Sequence, residues 1–412
     1  MLITNKDIEN ISNEYGDSFY ILDTEQFEKN YNELLTSFRN IYSNTHIAYS
    51  YKTNYTPRLC SIINKLGGFA EIVSDMEYEI AKKLNVPNEK IFFNGPYKNP
   101  KAVQDLLLSG GIVNIDSLEE FNFVQIIAQK YPNKILNIGI RCNFDINDGV
   151  VSRFGFDTTS NEFEILINSI SKNYNINLVG LHSHFASRNI LTWPQRAKKI
   201  LELVDKYFET PPQYISLGGG IFGKMKDSLK AQFDVEIPTY SDYANSVAFQ
   251  FEEHFKNLEI KPKLVIEPGS ALVGDSMKFV SKVISIKDVR GKKIATLLGS
   301  IYNINPTLNK KNPPITIYHT DKNTNVQNTF KNLDFGGFTC IESDYLYKNY
   351  YGELSVGDYA LFDNVGSYSI VLKPPFILPN FPIIELDINK NILLIKEKEC
   401  FNDLFHTFNF DL

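Results

Sequence analysis

The sequence predicts an α/β protein in which a (β/α)₈ barrel is followed by a mostly antiparallel β domain. Two observations support this fold class. Over about the first 270 residues, short runs rich in β-branched and aromatic residues alternate with longer stretches of helical periodicity. After about Val273 the helical periodicity is largely lost, and short apolar runs are separated by Gly, Pro and Asn.

Eight candidate strands alternate with helical segments in the first part of the chain. Such alternation is typical of a parallel sheet covered by helices, and the number eight favours closure into a barrel. An open doubly wound sheet is the alternative. The candidate strands are roughly His46–Tyr51, Phe69–Val73, Lys90–Asn94, Ile112–Ile115, Ile135–Arg141, Asn177–His182, Tyr214–Leu217 and Lys263–Glu267.

Three of the intervening segments carry helix-start signals. Ser74–Leu84 and Ser117–Lys130 each open with a serine, which suits an N-cap because its hydroxyl can accept from a free backbone N–H. Trp193–Phe208 follows Thr192 and has Pro194 in its first turn, where a missing N–H is harmless. These segments are predicted to be helices covering the sheet.

The second domain is predicted to be built mainly from strands. Ser18–Asp23 is expected to join it as a strand, with the chain entering the barrel through a helix at Thr24–Phe38. The polar stretch Asp321–Lys331 is expected to be an exposed loop or hairpin. We therefore predict a barrel of residues 24–272 and a β domain of residues 1–23 and 273–412. The further candidate strands are Lys278–Ile286, Pro314–His319, Asp358–Phe362 and Tyr368–Val371.

The composition is that of a globular protein and argues against several classes. With 43% hydrophobic and 22% charged residues, the chain resembles neither a disordered protein nor a coiled coil. The 42 Lys and Arg against 48 Asp and Glu give a net charge of −6 without a long basic run, so nucleic acid is not an expected partner. No stretch approaches the length of an apolar membrane span, and no secretory signal is evident. The four cysteines are too dispersed for a disulfide framework, so we expect a cytoplasmic protein with reduced thiols.

Chemically distinctive residues follow four of the predicted strands. In a (β/α)₈ barrel the active site lies at the carboxyl ends of the strands, and phosphate groups commonly bind after strands seven and eight. The residues in question are Lys52 after the first strand, His182 and His184 at the end of the sixth, Gly218–Gly220 after the seventh, and Glu267 with Gly269 at the end of the eighth.

The glycines are candidates for binding a phosphate group. Consecutive glycines let backbone N–H groups approach an anion closely, and a following helix N-terminus adds its dipole. Gly218–Gly220 is therefore a candidate phosphate cradle, with help from Gly269 and Ser187.

The remaining residues suit an aromatic aldehyde cofactor. A lysine in a mostly apolar barrel mouth can lose its proton and form a Schiff base, which is the role we predict for Lys52. Glu267 could stay ionised beside a protonated pyridine nitrogen, and His184 could stack on the flat ring. Together with the phosphate cradle, these residues describe a site for pyridoxal 5′-phosphate.

Each of these residues also has a plainer interpretation. Lys52 could be a solvated surface residue, and Gly218–Gly220 could be a flexible turn. His182 and His184 could bind zinc, because both rings would face the same side. Glu267 could simply cap the next segment. The joint placement of these residues at strand ends favours the cofactor site, and no metal is predicted.

As a set, the motifs resemble the fold-type III pyridoxal-phosphate decarboxylases, the ornithine, arginine and diaminopimelate decarboxylase group. The resemblance covers nearly the whole chain and implies an alanine-racemase-like barrel, a C-terminal β domain and a head-to-tail homodimer with shared active sites. The motifs are, in chain order, Tyr51-Lys52-Thr53-Asn54, Glu71-Ile72-Val73-Ser74, Ser152-Arg153-Phe154-Gly155, His182-Ser183-His184, Gly218-Gly219-Gly220, Glu267-Pro268-Gly269, Cys340-x-x-x-Asp344 and Gly357-Asp358 with Gly366-Ser367-Tyr368.

The resemblance also implies roles around the cofactor. Lys52 would form the aldimine, His184 would stack on the ring, and Glu267 would pair with the pyridine nitrogen. Glu71 stands where the family usually has Asp. Arg141 and His182 would support these residues, and the phosphate would be held by Ser187, Gly219, Gly220, Gly269 and Tyr368.

On the substrate side, the resemblance implies that Cys340 donates a proton to the carbanion. Asp344 would recognise the distal end of the substrate, with Glu342 and Tyr368 as further substrate-binding residues. Cys340 and Asp344 would come from the partner subunit. Without the family context, Cys340 could be a buried apolar cysteine.

Three departures from the family pattern concern the substrate. The family's Glu-Pro-Gly-Arg ends here in Ser270, so an arginine that contacts phosphate or a substrate carboxylate is absent. The Arg-Pro-x-x-Tyr element appears as Asn305-Pro306-Thr307-Leu308-Asn309, and Cys-Glu-Ser-Gly-Asp appears as Cys340-Ile341-Glu342-Ser343-Asp344. These differences argue against free meso-diaminopimelate and favour a larger or differently charged amino acid, such as a conjugate used in specialised biosynthesis.

The leading hypothesis is a decarboxylase that acts on a small-molecule amino acid. Glu267 favours it over an amino-acid racemase or epimerase, because alanine racemases tend to place a cation at the pyridine nitrogen and lack the element that contains Cys340. A non-catalytic regulator derived from a decarboxylase is a further alternative. The presence of Lys52, His184, Glu267 and Cys340 counts against it. A metal-dependent hydrolase using His182 and His184 is the last.

Overall fold

The structure, a computed structural model, describes residues 3–320, 328–387 and 389–410. The described residues form two compact units. The barrel unit contains Lys29–Phe222 and Pro238–Ala271. The β unit contains the chain up to Glu28, the segment Gly223–Ile237 and the chain from Leu272 onward. The segment 223–237, placed in the barrel from sequence, thus groups with the β unit.

The secondary structure of the described residues alternates as expected in the first part of the chain. The strands are β1 (Ser18–Leu22), β2 (Thr45–Ser50), β3 (Phe69–Ile72), β4 (Ile91–Phe93), β5 (Ile112–Ile115), β6 (Leu136–Asn143), β7 (Phe156–Asp157), β8 (Ile176–His182), β9 (Tyr214–Ser216), β10 (Lys263–Ile266), β11 (Met277–Val289), β12 (Lys292–Leu297), β13 (Ile315–Tyr318), β14 (Asn328–Gly336), β15 (Tyr345–Leu354), β16 (Tyr359–Phe362), β17 (Ile383–Leu386) and β18 (Ile392–Lys396). The helices are α1 (Asn5–Tyr15), α2 (Thr24–Arg39), α3 (Pro57–Lys65), α4 (Asp75–Lys83), α5 (Pro100–Leu108), α6 (Leu118–Lys130), α7 (Asn161–Ser171), α8 (Trp193–Tyr207), α9 (Asp227–Lys230), α10 (Tyr240–Phe255), α11 (Ser270–Val273), α12 (Ile301–Ile304) and α13 (Phe401–Phe405).

The barrel unit contains a closed parallel barrel, which confirms the predicted fold class. Its strands are hydrogen-bonded in the order β5-β4-β3-β2-β10-β9-β8-β6, and pairing of β5 with β6 closes the ring. All eight are the strands predicted from the sequence. Tyr214 fills the interior, and Gly180 of β8 is required beside it because a Cβ at that position would collide with the Tyr214 ring. The two-residue strand β7 pairs with the end of β6.

The predicted helix starts are present. Ser74 Oγ accepts from the Glu77 N–H at 3.2 Å at the start of α4, and Ser117 Oγ accepts from the Glu120 N–H at 3.3 Å at the start of α6. Helix α8 begins at Trp193 with its proline in the first turn, as expected. In the described part of the chain, no helix is long and apolar enough to cross a membrane.

The β unit is mostly antiparallel, as predicted. Its strands follow the order β15-β14-β12-β11-β1-β17-β18, and β16 joins β11 to β13. The predicted N-terminal strand is present as β1, which pairs with β11 along its whole length. The pairs β1–β17 and β12–β14 are parallel. Helix α1, which the sequence interpretation did not include, packs Ile8 and Ile11 into the same core as Phe19 and Val280.

The prediction of a strand at Tyr368–Val371 is wrong. These residues form successive turns, in which the Leu372 N–H donates to the Tyr368 carbonyl at 3.0 Å. Tyr368 itself has a φ of 65°. Such a left-handed conformation does not occur in a strand, so local turn geometry has overridden the β-branched and aromatic composition.

The expected loop or hairpin at Asp321–Lys331 lies only partly within the described residues. Residues 321–327 lie outside the described residues, and the stretch from Asn328 onward already belongs to strand β14.

Candidate active site

The carboxyl ends of the barrel strands bring the predicted residues of the barrel unit to one rim. Lys52 lies in a 3-10 turn directly after β2, and Glu71 is in the last part of β3. His182 ends β8, and Glu267 follows β10. Because parallel strands present their carboxyl ends on the same side, residues far apart in the chain meet here.

Lys52 and Glu71 form an ion pair at this rim. Lys52 Nζ contacts Glu71 Oε2, and the Glu71 side chain is 1% exposed whereas that of Lys52 is 32% exposed. Burial disfavours a charged amine, but attraction to Glu71 and then Glu267 outweighs burial and raises the pKa of Lys52 above its usual value. The surroundings of the amine are therefore less apolar than the sequence predicts, because a carboxylate contacts Nζ, and the Schiff-base role of Lys52 stays a prediction.

Glu267 is a buried carboxylate held by three side-chain donors. His182 Nε2 lies 3.0 Å from Glu267 Oε2, and Ser216 Oγ donates to Oε1 at 2.8 Å. Asn94 Nδ2 donates to Oε1 at 3.2 Å. Burial alone would raise the pKa of this carboxyl, but the charge and hydrogen bond of His182, together with Lys52, lower the pKa of Glu267 below its usual value. The carboxylate therefore remains ionised although it is only 2% exposed.

Asn94 connects the two acids to the barrel interior, and the sequence analysis did not identify it. Its Nδ2 also donates to Glu71 Oε1 at 3.1 Å, so one amide group bridges Glu71 and Glu267. Asn114 Nδ2 donates to Asn94 Oδ1 at 2.6 Å, and the Tyr214 hydroxyl donates to Asn114 Oδ1 at 2.5 Å. Asn94 directly follows β4, so the rule that strand ends carry function could have found it.

His184 is oriented by a backbone hydrogen bond. The Gly219 N–H donates to His184 Nδ1 at 2.9 Å, which requires an unprotonated Nδ1 and leaves the ring proton on Nε2. Burial, followed by the charge of Lys52, lowers the pKa of His184 well below its usual value, so the ring is neutral. Among the described residues, no group of three or more His, Cys, Asp or Glu side chains is placed to hold a metal ion.

The glycine run packs closely against neighbouring backbone and side-chain atoms. A Cβ at Gly220 would lie 2.6 Å from the Ser187 carbonyl oxygen, and a Cβ at Gly269 would collide with Thr53 Oγ1. Among the described residues, the Gly220 N–H has no protein acceptor, whereas the Gly219 N–H donates a hydrogen bond to His184 Nδ1. Bare N–H groups at positions that admit only glycine suit a phosphate group.

Arg196 contacts the glycine run and the Ser187 loop, and it was not identified from the sequence. Its Nη1 donates to the Gly219 carbonyl at 3.1 Å, and its Nη2 donates to the Ser187 carbonyl at 2.6 Å. The side chain is fully buried, and burial lowers the pKa of Arg196 to about 10. Arg196 thus ties the two predicted phosphate-binding loops together.

Arg141, predicted to support the site, is buried at the end of β6. Its Nη1 lies 3.5 Å from Asp116 Oδ1, and its guanidinium lies 4.5 Å from the centre of the Phe154 ring. Gly155 is required beside it, since a Cβ there would lie 2.6 Å from the Arg141 carbonyl oxygen. The Ser152–Gly155 motif therefore packs against Arg141.

The other predicted site residues belong to the β unit. Cys340 and Glu342 are exposed. Asp344 is 4% exposed, and its carboxylate accepts from Ser300 Oγ at 3.1 Å and from Thr339 Oγ1 at 2.6 Å. Asp344 thus fixes the loop that carries Cys340, and its assignment to substrate recognition stays a prediction.

Tyr368 is half-buried in the β unit with its backbone in the left-handed region. A non-glycine residue in this region is strained by about 1–3 kcal/mol and persists only where the surroundings impose it. Its assignment to phosphate and substrate binding stays a prediction.

The residues of the barrel unit fit pyridoxal phosphate by the chemistry of their side chains. Lys52 provides an amine for the aldehyde, and Glu267 provides an ionised carboxylate for a protonated ring nitrogen. The Gly220 N–H faces no protein acceptor among the described residues and is available to a phosphate oxygen. The donor set therefore covers the aldehyde, the ring nitrogen and the phosphate.

Glu77 is a further buried acid near Lys52 and was missed by the sequence analysis. It is 3% exposed, and its Oε2 accepts from the Val73 N–H at 2.7 Å. Burial raises the pKa of Glu77 to about 7, in spite of that hydrogen bond. The residue lies on α4, one turn after its N-cap Ser74.

Comparison with known proteins places this site in a family context. A family model described as pyridoxal-dependent decarboxylase, pyridoxal binding domain, matches residues 25–274. The chain is 26% identical to a diaminopimelate decarboxylase from Methanocaldococcus jannaschii over 96% of this chain and 91% of the relative. It is 25% identical to a diaminopimelate decarboxylase from Aquifex aeolicus over 90% of this chain and 87% of the relative.

The fold also matches solved structures. A crystal structure of the M. jannaschii diaminopimelate decarboxylase superposes with a TM-score of 0.86, covering 97% of this chain and 94% of that chain at 24% identity. A structure of that enzyme in complex with L-lysine gives a TM-score of 0.84 at the same identity, covering 96% of this chain and 92% of that chain. At this level of identity the likeness shows a common fold.

Replacing Glu77 by Gln is expected to stabilise the protein at high pH. In the unfolded chain this carboxyl loses its proton near its ordinary pKa, whereas the folded protein keeps it until about pH 7. The wild-type protein therefore loses stability as the pH rises from about 4.5 through 7, whereas the Glu77→Gln variant is free of this loss. The expected gain is close to zero at pH 4.5 and up to about 3 kcal/mol at pH 8. Urea unfolding of the holoenzyme at both pH values measures it.

The matched control is Glu79→Gln, a change at an exposed acid on the same helix that is expected to alter stability little at either pH. An equal effect of Glu77→Gln at pH 4.5 and pH 8 would contradict the raised pKa.

Proposed function

The chain belongs to the pyridoxal-dependent decarboxylase family, and we propose that its barrel site removes the α-carboxylate of an amino acid. We further propose that the distal end of this amino acid differs from that of diaminopimelate. The protein is a pyridoxal-phosphate-dependent amino-acid decarboxylase, a lyase. The observation that carries the site assignment is the contact of Lys52 with the buried Glu71, which Asn94 bridges to a second buried carboxylate, Glu267, beside His182.

Decarboxylation requires a place for the electron pair that remains when CO₂ leaves. Bound pyridoxal phosphate supplies this place, because its ring withdraws electrons from the substrate's α-carbon. Glu267 strengthens the withdrawal, since an ionised carboxylate favours a proton on the ring nitrogen. His182, Ser216 and Asn94 hold Glu267 in its charged form by donating to its two oxygens.

Lys52 is the amine that we propose tethers the cofactor. Its raised pKa means that it carries a proton which it must lose before it can react as a nucleophile. Glu71 Oε2, which contacts Nζ, is the base in position to accept that proton. His184 presents a neutral ring with its proton on Nε2, and a neutral ring can lie against the cofactor without opposing the positive ring nitrogen.

We propose that Cys340 delivers the proton that replaces the lost carboxylate. Its thiol is free and exposed, on a loop that the buried Asp344 fixes through Ser300 and Thr339. As the family resemblance implies, the active form would be a homodimer in which Cys340 of one subunit completes the site of the other. All four cysteines are free thiols, which supports a cytoplasmic location.

The substrate proposal rests on cations that are absent from the positions where the family carries them. Ser270 replaces one arginine, and Asn305 replaces the other. Asn305 is engaged locally, because its Nδ2 donates to the Asn309 carbonyl at 2.8 Å and its Oδ1 accepts from Asn309 Nδ2 at 2.8 Å. A distal carboxylate such as that of diaminopimelate would therefore lack a bidentate partner at position 305. A conjugated amino acid with a larger, less anionic distal end fits these departures better.

We expect an amide-conjugated diamino acid to be decarboxylated with a higher kcat/KM than meso-diaminopimelate, ornithine, lysine or arginine. Release of CO₂ from each compound measures this, and a clear preference for meso-diaminopimelate would contradict the substrate assignment. Lys52→Ala is expected to reduce the rate to background, because it removes the tethering amine. Lys101→Ala, at an exposed lysine in the first turn of α5, is the matched control and should retain the wild-type rate.

The shared site can be tested by mixing two variants that are each expected to be nearly inactive. Lys52→Ala lacks the tether, and Cys340→Ala lacks a general acid that typically contributes about 10²–10⁴-fold. When equal amounts of the two subunits are unfolded and refolded together, about half of the dimers would be mixed, and each mixed dimer has one of its two sites intact. This should restore about one quarter of the wild-type activity. If the mixture stays as inactive as the separate variants, Cys340 does not act across subunits.

A further inference from the structure

The predicted phosphate site of this barrel lacks the arginine that the family pattern places at position 270. A phosphate monoester carries close to two negative charges, and guanidinium groups bind it in a bidentate manner. Ser270 stands where the family has arginine. The barrel residues predicted to hold the phosphate, namely Ser187, Gly219, Gly220 and Gly269, contribute backbone and hydroxyl groups without any positive charge.

Arg188 brings a guanidinium group to this position from a different loop. Its Nη2 lies 3.4 Å from Ser270 Oγ and donates to it. The backbone of Arg188 is held by the Tyr243 hydroxyl, which donates to the Arg188 carbonyl at 2.6 Å. The guanidinium carbon lies 5.4 Å from the centre of the Phe222 ring. The head group of Arg188 is thus beside the residue that replaces the family's arginine.

The charge of Arg188 is not neutralised by the protein. Among the described residues, no carboxylate forms an ion pair with Arg188, and its side chain is half-buried. The nearby Arg196 has a different role, because its terminal N–H groups donate hydrogen bonds to the Gly219 and Ser187 carbonyls. A half-buried guanidinium without an acidic partner, directly after Ser187 in the chain, is available to an anion.

We propose that Arg188 binds the phosphate group of the cofactor in place of the arginine that the family carries at position 270. The inference rests on the proposed function of the barrel site. The cation then comes from the loop after β8 rather than from the loop after β10, and it meets the same anion. A carboxylate of the substrate is the other oxyanion that a guanidinium could bind. The phosphate is favoured because Arg188 adjoins Ser187 in the chain and meets Ser270, which adjoins Gly269.

The test measures cofactor affinity in the absence of substrate. Arg188→Gln is expected to raise the dissociation constant of pyridoxal phosphate by about tenfold or more, since hydrogen bonds to charged groups contribute about 1.5–3 kcal/mol. Dialysis of the holoenzyme, followed by the visible absorbance of bound cofactor, gives this constant. Binding of pyridoxal, which has no phosphate, should be the same in the variant and the wild-type protein. Arg39→Gln, at an arginine that donates to the Thr45 carbonyl at the opposite end of β2, should leave both constants unchanged.

A transposed variant distinguishes a binding role from a structural one. In the double variant Arg188→Gln/Ser270→Arg, the guanidinium returns to the family's position, so the affinity for pyridoxal phosphate should recover towards the wild-type value. An unchanged dissociation constant in Arg188→Gln would overturn the proposal, and so would an equal loss of affinity for pyridoxal. A raised KM for the substrate with unchanged cofactor affinity would also overturn it and assign Arg188 to a substrate carboxylate. Because these constants are measured without substrate, failure of the proposed decarboxylation would be seen separately.

Discussion

Two carboxylates buried at the mouth of one barrel are the constraint on which the site depends. Glu71 and Glu267 are each at most 2% exposed, and Asn94 donates to both. Buried acids that are close together repel each other and tend to take up protons unless cations and donors compensate. Lys52 compensates Glu71, and His182 compensates Glu267. Bound pyridoxal phosphate would offer its aldehyde to the Lys52 amine and its basic ring nitrogen to the ionised Glu267.

The barrel supplies this compensation because its strands converge at their carboxyl ends. The donors to Glu267 come from three different strands, since Asn94 follows β4, His182 ends β8 and Ser216 ends β9. Behind them, Asn114 and Tyr214 continue the hydrogen bonds into the barrel interior. Satisfied polar networks of this kind fix side chains in one arrangement. The orientation of Glu267 is therefore a property of the whole barrel rather than of one loop.

The sequence was sufficient for the barrel and for the residues that stand at strand ends, because periodicity determines the strands and their ends share one rim. It was insufficient where a role arises only from contact in three dimensions. The position of Asn94 after β4 marks it as a strand-end residue, but its bridging of two acids depends on the neighbouring strands. The hydrogen bonds that Asp344 accepts from Ser300 and Thr339 likewise have no signal in its motif. Tyr368–Val371 has the composition of a strand, and a left-handed tyrosine makes it a turn.

We propose that Glu267 stays ionised and keeps the ring nitrogen of the bound cofactor protonated. The most direct measurement is the ¹⁵N chemical shift of pyridoxal phosphate labelled at its ring nitrogen, recorded in the holoenzyme near neutral pH. The wild-type protein should show a protonated nitrogen, and Glu267→Gln should show an unprotonated one, because an amide cannot balance the charge. An unprotonated nitrogen in the wild-type protein would contradict this role of Glu267.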